Sequence, residues 1–248
     1  MVTTHHSPLT LPYTVGMAVV FCQIEAPRAS VPAGETHVYT APLRDPDPLL
    51  PYLTTDEHDR AAKFRLPQIR DQFIAARGYL RRLLGHYLRL GPRDVPVRYA
   101  DGGKPYLPAE FGLEFNLSHT AGLAVIAVGR ARLGVDVERA RPVPDADALV
   151  NRFFSRREAE QFRSLPIKDR PGAFLRAWTR KEAVLKAIGR GVQSLDCCDV
   201  TFADGQPPAL VSLDGDATAG TRWEVFAWEP AAGYLAAGAV ERPMQNAK

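Results

Sequence analysis

The sequence predicts an α+β protein made of two similar halves, with a ligand site where they meet. Three observations carry this. Helical patterns precede short strands twice along the chain. The stretch "AGYLAAGAV" (232–240) echoes "AGLAVIAVG" (121–129). Between the two runs lies "RARPVPDAD" (139–147), polar and proline-rich, which reads as the linker. The expected organisation is a loosely ordered extension at 1–34, an N-terminal half at 35–135, a C-terminal half at 136–241 and a tail at 242–248. A pseudo-twofold axis relates the halves.

Taken in order, "THVYTAPL" (36–43) alternates enough to be a first strand, and "TTDEHDRAAKF" (54–64) opens with capping residues and reads as a helix. After Pro67, "IRDQFIAARGYLRRLLGHYLRL" (69–90) is a long amphipathic helix that Gly91-Pro92 stops. Strands follow at 95–100, 113–119, 123–129 and 133–138, with "DGGK" as a turn. Beyond the linker, helices are expected at 148–154, 155–165 and 170–188, and strands at 199–203, 221–229 and 234–240.

Composition narrows the classes. At 248 residues, 46% hydrophobic and 24% charged, the chain suits one large or two small globular domains. A net charge of +3 demands no nucleic acid, and the arginines of the long helix share it with residues committed to a core. Three cysteines with no CxxC spacing suit neither a disulfide framework nor zinc. "VGMAVVFC" (15–22) is too short to span a bilayer and lacks a basic lead-in, so a cytoplasmic protein without a membrane segment is expected.

Several residues are candidates for chemistry. A strand over "LGVDVE" puts Gly134, Asp136 and Glu138 on one face, the carboxylates about 7 Å apart by strand rise. They are close enough to share a cation such as magnesium, with Gly134 leaving room beside them. An isolated DxE is more often a solvated face. In "WTRKEAVLK" (178–186), Lys181 interrupts an apolar helical stripe, although an unpaired buried ammonium costs several kcal/mol. Glu182 and Lys186 alone would pass for a surface i, i+4 pair. His119 in "NLSHT" has no triad partner, and Lys104, Arg77 and Lys63 are ordinary cations when viewed singly. No Walker-type or kinase signature occurs.

The order of these pieces says more than any one of them. "GKP" (103–105), "FNLSH" (115–119), "GVDVE" (134–138), "RFFS" (152–155) and "WTRKEAVLK" together resemble the 4'-phosphopantetheinyl transferases, in the two-halved, surfactin-synthetase-activating (Sfp-like, W-KEA) form. The resemblance runs from about Ala61 to Val240. It implies transfer of 4'-phosphopantetheine from coenzyme A to a serine of an apo acyl or peptidyl carrier protein, releasing 3',5'-ADP. It also implies Mg2+, or Mn2+ in its place, on Asp136, Glu138 and Glu182. Lys181 and Lys186 are then expected on the coenzyme A phosphates, with His119 and Ser118 beside them, Lys104 near the nucleotide and Arg77 on the 3'-phosphate. Arg60 and Lys63 fall where the family has further basic contacts. Glu182 is the expected general base, with Lys186 and Asp136 completing the catalytic set. On this reading Lys181 has bound phosphate rather than protein as its partner, and is strained or mobile in the free enzyme. The chain is expected to act as a monomer. The alternative is a non-catalytic module that binds coenzyme A or a carrier protein.

Overall fold

The computed structural model describes residues 10–13 and 17–243. Its N-terminal half carries β1 (Thr10–Tyr13), β2 (Met17–Gln23), β3 (Glu35–Pro42), α1 (Thr55–Ala62) and α2 (Pro67–Leu88). Next come β4 (Arg98–Tyr99), β5 (Pro105–Tyr106), β6 (Glu114–Thr120) and β7 (Leu123–Gly129), and after the turn at 130–132 the C-terminal half opens with β8 (Leu133–Arg139). The C-terminal half adds α3 (Ala146–Phe153), α4 (Arg156–Ser164), α5 (Arg170–Ile188), β9 (Cys198–Val200) and β10 (Leu210–Leu213). It ends with the short α6 (Ala219–Arg222), β11 (Trp223–Trp228) and β12 (Tyr234–Glu241).

Two sheets form the middle of the molecule. One has the order β1-β2-β3-β7-β6, antiparallel except for the β2–β3 pair, and the other the order β11-β12-β8, fully antiparallel. β7 is apolar at every position and buried on both faces. Its Ala124, Ile126 and Val128 pack with Ala76, Leu80 and Leu83 of α2. Its Leu123, Val125 and Ala127 pack with Val135, Val137 and Phe226 of the second sheet. The other face of that second sheet, through Val225, Ala237 and Ala239, lies under Ala183, Val184 and Ala187 of α5. Helix, sheet, sheet and helix therefore stack in four layers, and the apolar layer between the sheets joins the halves.

Each half starts its helical run in the same way. Thr54 and Ser155 accept hydrogen bonds from the backbone of Glu57 and Glu158, whose carboxylates reach back to the cap nitrogens. The long helices begin with prolines (Pro67, Pro171) that lose nothing at an uncapped first turn. They end in left-handed residues, Arg89 (φ 55°) and Gly189 (φ 76°).

Three expectations need correction. Residues 17–34 are not loose. β2 pairs in parallel with β3 and buries Val19 and Val20, while Ile24 and Val31 enter the core. A run too short for a bilayer has the right length for a strand. Residues 1–9 and 14–16 lie outside the described residues, as do 244–248 of the expected tail. The boundary between halves also moves: 135/136 would cut β8, which pairs along its length with β12, so the halves divide in the turn at 130–132. Finally, the strand expected at 95–100 shortens to β4, and β10 was not anticipated.

Candidate active site

Gly134 fixes the geometry. A Cβ there would stand 2.2 Å from the Ala183 carbonyl oxygen and 2.5 Å from the Ala187 nitrogen. The space beside the strand is therefore filled by α5 and not by a ligand, contrary to expectation. Close approach of helix to strand brings the next two residues on that face of β8, Asp136 and Glu138, up to Glu182 and Lys186 of α5.

Asp136 is buried, and its Oδ1 accepts from Lys186 Nζ (2.6 Å) and from the Ser118 hydroxyl (2.8 Å). Lys186 also donates to Ser118 Oγ at 3.0 Å. This three-residue knot joins β6 of one half to β8 and α5 of the other. Asn116 ties the same strands, its Oδ1 accepting from the Val135 nitrogen at 2.9 Å. Asp136 Oδ2 is buried with no hydrogen-bond partner among the described residues.

Glu138 and Glu182 share one electrostatic environment with Asp136. Burial first, then the Asp136 charge, pushes Glu138 above the ordinary carboxylate range. Burial likewise raises Glu182; Lys186 opposes the rise, and Asp136 and Glu138 add to it. Among the described residues no three His, Cys, Asp or Glu side chains form a ready-made metal cage. The donors nevertheless fit a hard divalent cation. Three carboxylates stand close together on two touching elements, the Asp136 charge helps to raise the other two, and one of the three keeps a buried oxygen without a partner.

Nitrogen-bearing side chains stand near the cluster. His119, open to solvent at the end of β6, is held below the ordinary histidine range by the protein crowding its ring and then by the charges of Lys186 and Arg77. Arg77 donates from Nε to Glu57 (3.0 Å) and from Nη2 to the Tyr99 hydroxyl. Lys104 donates to the Ala187 carbonyl at 2.9 Å, placing the "DGGK" turn against the end of α5, and burial lowers its pKa. Arg60 lies on the exposed side of α1, resting over the Phe73 ring, and the exposed Lys63 follows the last residue of that helix. No contact among the described residues joins either to the cluster.

Lys181 departs most from expectation. It is 0% exposed, ion-paired with Glu158, bonded to the Cys198 carbonyl, and set over the Phe154 ring at 5.1 Å. Glu158 also accepts from the Val200 nitrogen at 2.8 Å. The partner of Lys181 is thus protein, and the side chain is fixed. Phosphate compensation is unnecessary because a carboxylate 23 residues away supplies the opposite charge. The S-x-x-E pattern at 155–158, which sequence reasoning passed over, was the available signal. Asn116 and Glu57 were missed as well; T-x-x-E at 54–57 pointed to the latter.

Comparison with known proteins decides the family. The model of the 4'-phosphopantetheinyl transferase superfamily matches residues 132–238, the stretch holding Asp136, Glu138, Glu182 and Lys186. The 4'-phosphopantetheinyl transferase HetI of a Nostoc strain is 37% identical over 222 residues, 82% of this chain and 94% of the relative. The chain belongs to the 4'-phosphopantetheinyl transferase superfamily. Further relatives of this transferase include psf-1 of Bacillus pumilus, 26% identical over 68% of this chain and 69% of the relative. A putative 4'-phosphopantetheinyl transferase of Synechocystis is 33% identical over 58% and 62%. No helix among the transferase's described residues is long and apolar enough to cross a membrane.

Proposed function

We propose that this transferase moves 4'-phosphopantetheine from coenzyme A to the hydroxyl of a serine on an apo acyl or peptidyl carrier protein, releasing 3',5'-ADP. The observation that carries the reading is the Asp136–Ser118–Lys186 knot. It lies between the halves, with Glu138 and Glu182 beside it and the His119 imidazole in the field of the Lys186 and Arg77 cations. A doubly charged pyrophosphate requires that pairing: cations for its oxygens, and carboxylates that can hold a metal against it.

Asp136, Glu138 and Glu182 would hold Mg2+ or Mn2+, which when bound supplies Lewis acidity and a template for phosphate oxygens. Arg77, His119 and Lys104 bind the nucleotide end, and Ser118 orients Asp136. Lys186 leaves Asp136 for the pyrophosphate and stabilises charge developing on the leaving group. Glu182 takes the serine proton as the hydroxyl attacks the β-phosphorus. Arg60 and Lys63 are assigned outer, steering contacts only, and Lys181 leaves the list of substrate contacts. The protein acts as a monomer on this reading.

The test mixes the protein with coenzyme A, magnesium and several apo-carrier proteins and follows carrier mass. Gain of one phosphopantetheine on a carrier supports transfer. Binding of coenzyme A with no gain on any carrier would establish the non-catalytic module instead.

A further inference from the structure

Among the described residues four cations are buried: Arg77, Arg81, Arg180 and Lys181. Arg77 and Arg81 share Glu57, and Lys181 has Glu158. Arg180 is 4% exposed, yet no carboxylate among the described residues pairs with it. Its Nη1 donates to the carbonyl and hydroxyl of Thr201, and its Nε is sealed from solvent with no acceptor. A second guanidinium stands one turn earlier. Arg176 donates to the Phe202 carbonyl at 2.9 Å, and its nearest acid is the exposed Asp204 at 3.9 Å. Buried charges in proteins are compensated, so this one calls for an anion from outside.

Both arginines line one cavity of about 200 Å³ between the middle of α5 and the far end of the second sheet. Its other walls are Thr179, Ala227, Trp228 and Leu235, and the exposed Glu229 stands at its lining without an ion pair to either arginine. We propose that this cavity is a binding site for a small oxyanion, a phosphate or a carboxylate, held by Arg180 and Arg176. A planar guanidinium fork matches two oxygens of such a group and not a halide. The volume exceeds that of a single water, about 30 Å³ of liquid, several times over. Burial and the Arg176 charge bring Arg180 down to about 10, as expected of a cation lacking its counterion.

This site is separate from the carboxylate cluster but adjoins it. Leu235 pairs directly with Glu138 across β12 and β8, and Thr179 precedes Glu182 by one helical turn. The proposal does not depend on the transfer reaction.

Inorganic phosphate, titrated calorimetrically into the full chain without coenzyme A, is the probe, with acetate and chloride as parallel arms. Three variants accompany the wild type. Arg180→Gln removes the charge, Ala227→Leu fills the cavity and leaves Arg180 in place, and Lys186→Ala blunts the pyrophosphate cleft. Thermal unfolding checks that each is folded. The expected result is equal phosphate binding by wild type and Lys186→Ala, weakened tenfold or more in both Arg180→Gln and Ala227→Leu. Binding of acetate alone would support the proposal and narrow the class to carboxylates. Three results would overturn it: no binding to the wild type, chloride binding as well as phosphate, or loss in Lys186→Ala with retention in Arg180→Gln.

Discussion

The two long helices are built on one plan up to a point, and the point of departure locates the chemistry. Arg81 and Lys181 both stand eight residues before the left-handed cap of their helix, and each binds the capping-box glutamate of the helix before it. Each also holds carbonyls of the segment that follows, Pro92 and Val95 in one half and Cys198 in the other. One residue later the halves part. Arg82 goes to Glu25 and the Ile24 carbonyl, and His86 to the Arg28 carbonyl, pinning the segment after β2. At the same offsets Glu182 and Lys186 meet the carboxylates of β8. The buried ion pair is therefore common scaffold, and the face beside it carries either an architectural clamp or the proposed reactive site.

The comparison can be broken in measurable ways. Glu182→Gln, where the halves diverge, should lower kcat by roughly 10²–10⁴-fold while leaving the unfolding midpoint in urea nearly unchanged; near-normal turnover would remove Glu182 as base. Lys181→Met, where they agree, should cost about 3–5 kcal/mol of stability because it leaves Glu158 buried and unpaired. The KM for coenzyme A should not change in protein that remains folded; a raised KM would return Lys181 to the substrate.

Gly134→Ala should destabilise by about 1–3 kcal/mol through overpacking against α5 and lower activity by displacing Lys186 from Asp136. An unchanged transfer rate would mean the close approach does not set the site. The first half has its own acid signature. Burial alone would raise Glu57, but the Arg81 hydrogen bond and the Arg77 charge outweigh it and hold the carboxyl below the ordinary 4.5. Its stabilisation is then full above that unfolded value and is lost as pH falls through the depressed folded one. Glu57→Gln should flatten the stability–pH curve below 4.5 when urea midpoints are measured across that range. Smallest of all, Arg82→Ala removes an exposed pair with Glu25 and should cost at most about 1 kcal/mol with no effect on transfer.

Periodicity and order revealed a good deal: two helix-then-strand runs, the long stripe of α5, and the face of β8 that carries Asp136 and Glu138. What they hid was long-range. The stripe flagged Lys181 as anomalous, but periodicity cannot see a counterion that another helix brings in. Gly134 was read as room for a ligand because a missing side chain does not say what fills the gap. β2 was missed because its short apolar run does not alternate and was weighed only against the length of a membrane span. The expected functional residues came mainly from motif resemblance, and the structure sorted them by contact: Ser118, Asp136 and Lys186 into one knot, Arg60 to an exposed helix face and Lys63 just past the end of that helix.

The double burial of β7 has a last consequence. Each half keeps one sheet face apolar for the other, and only the turn at 130–132 carries the chain between them. Cut at that turn, the transferase should behave as a split protein. Either fragment alone would aggregate through its bare face, whereas the two expressed together would find each other and recover activity. Complementation would then report on assembly of the cleft, since neither piece holds Ser118 and Lys186 at once.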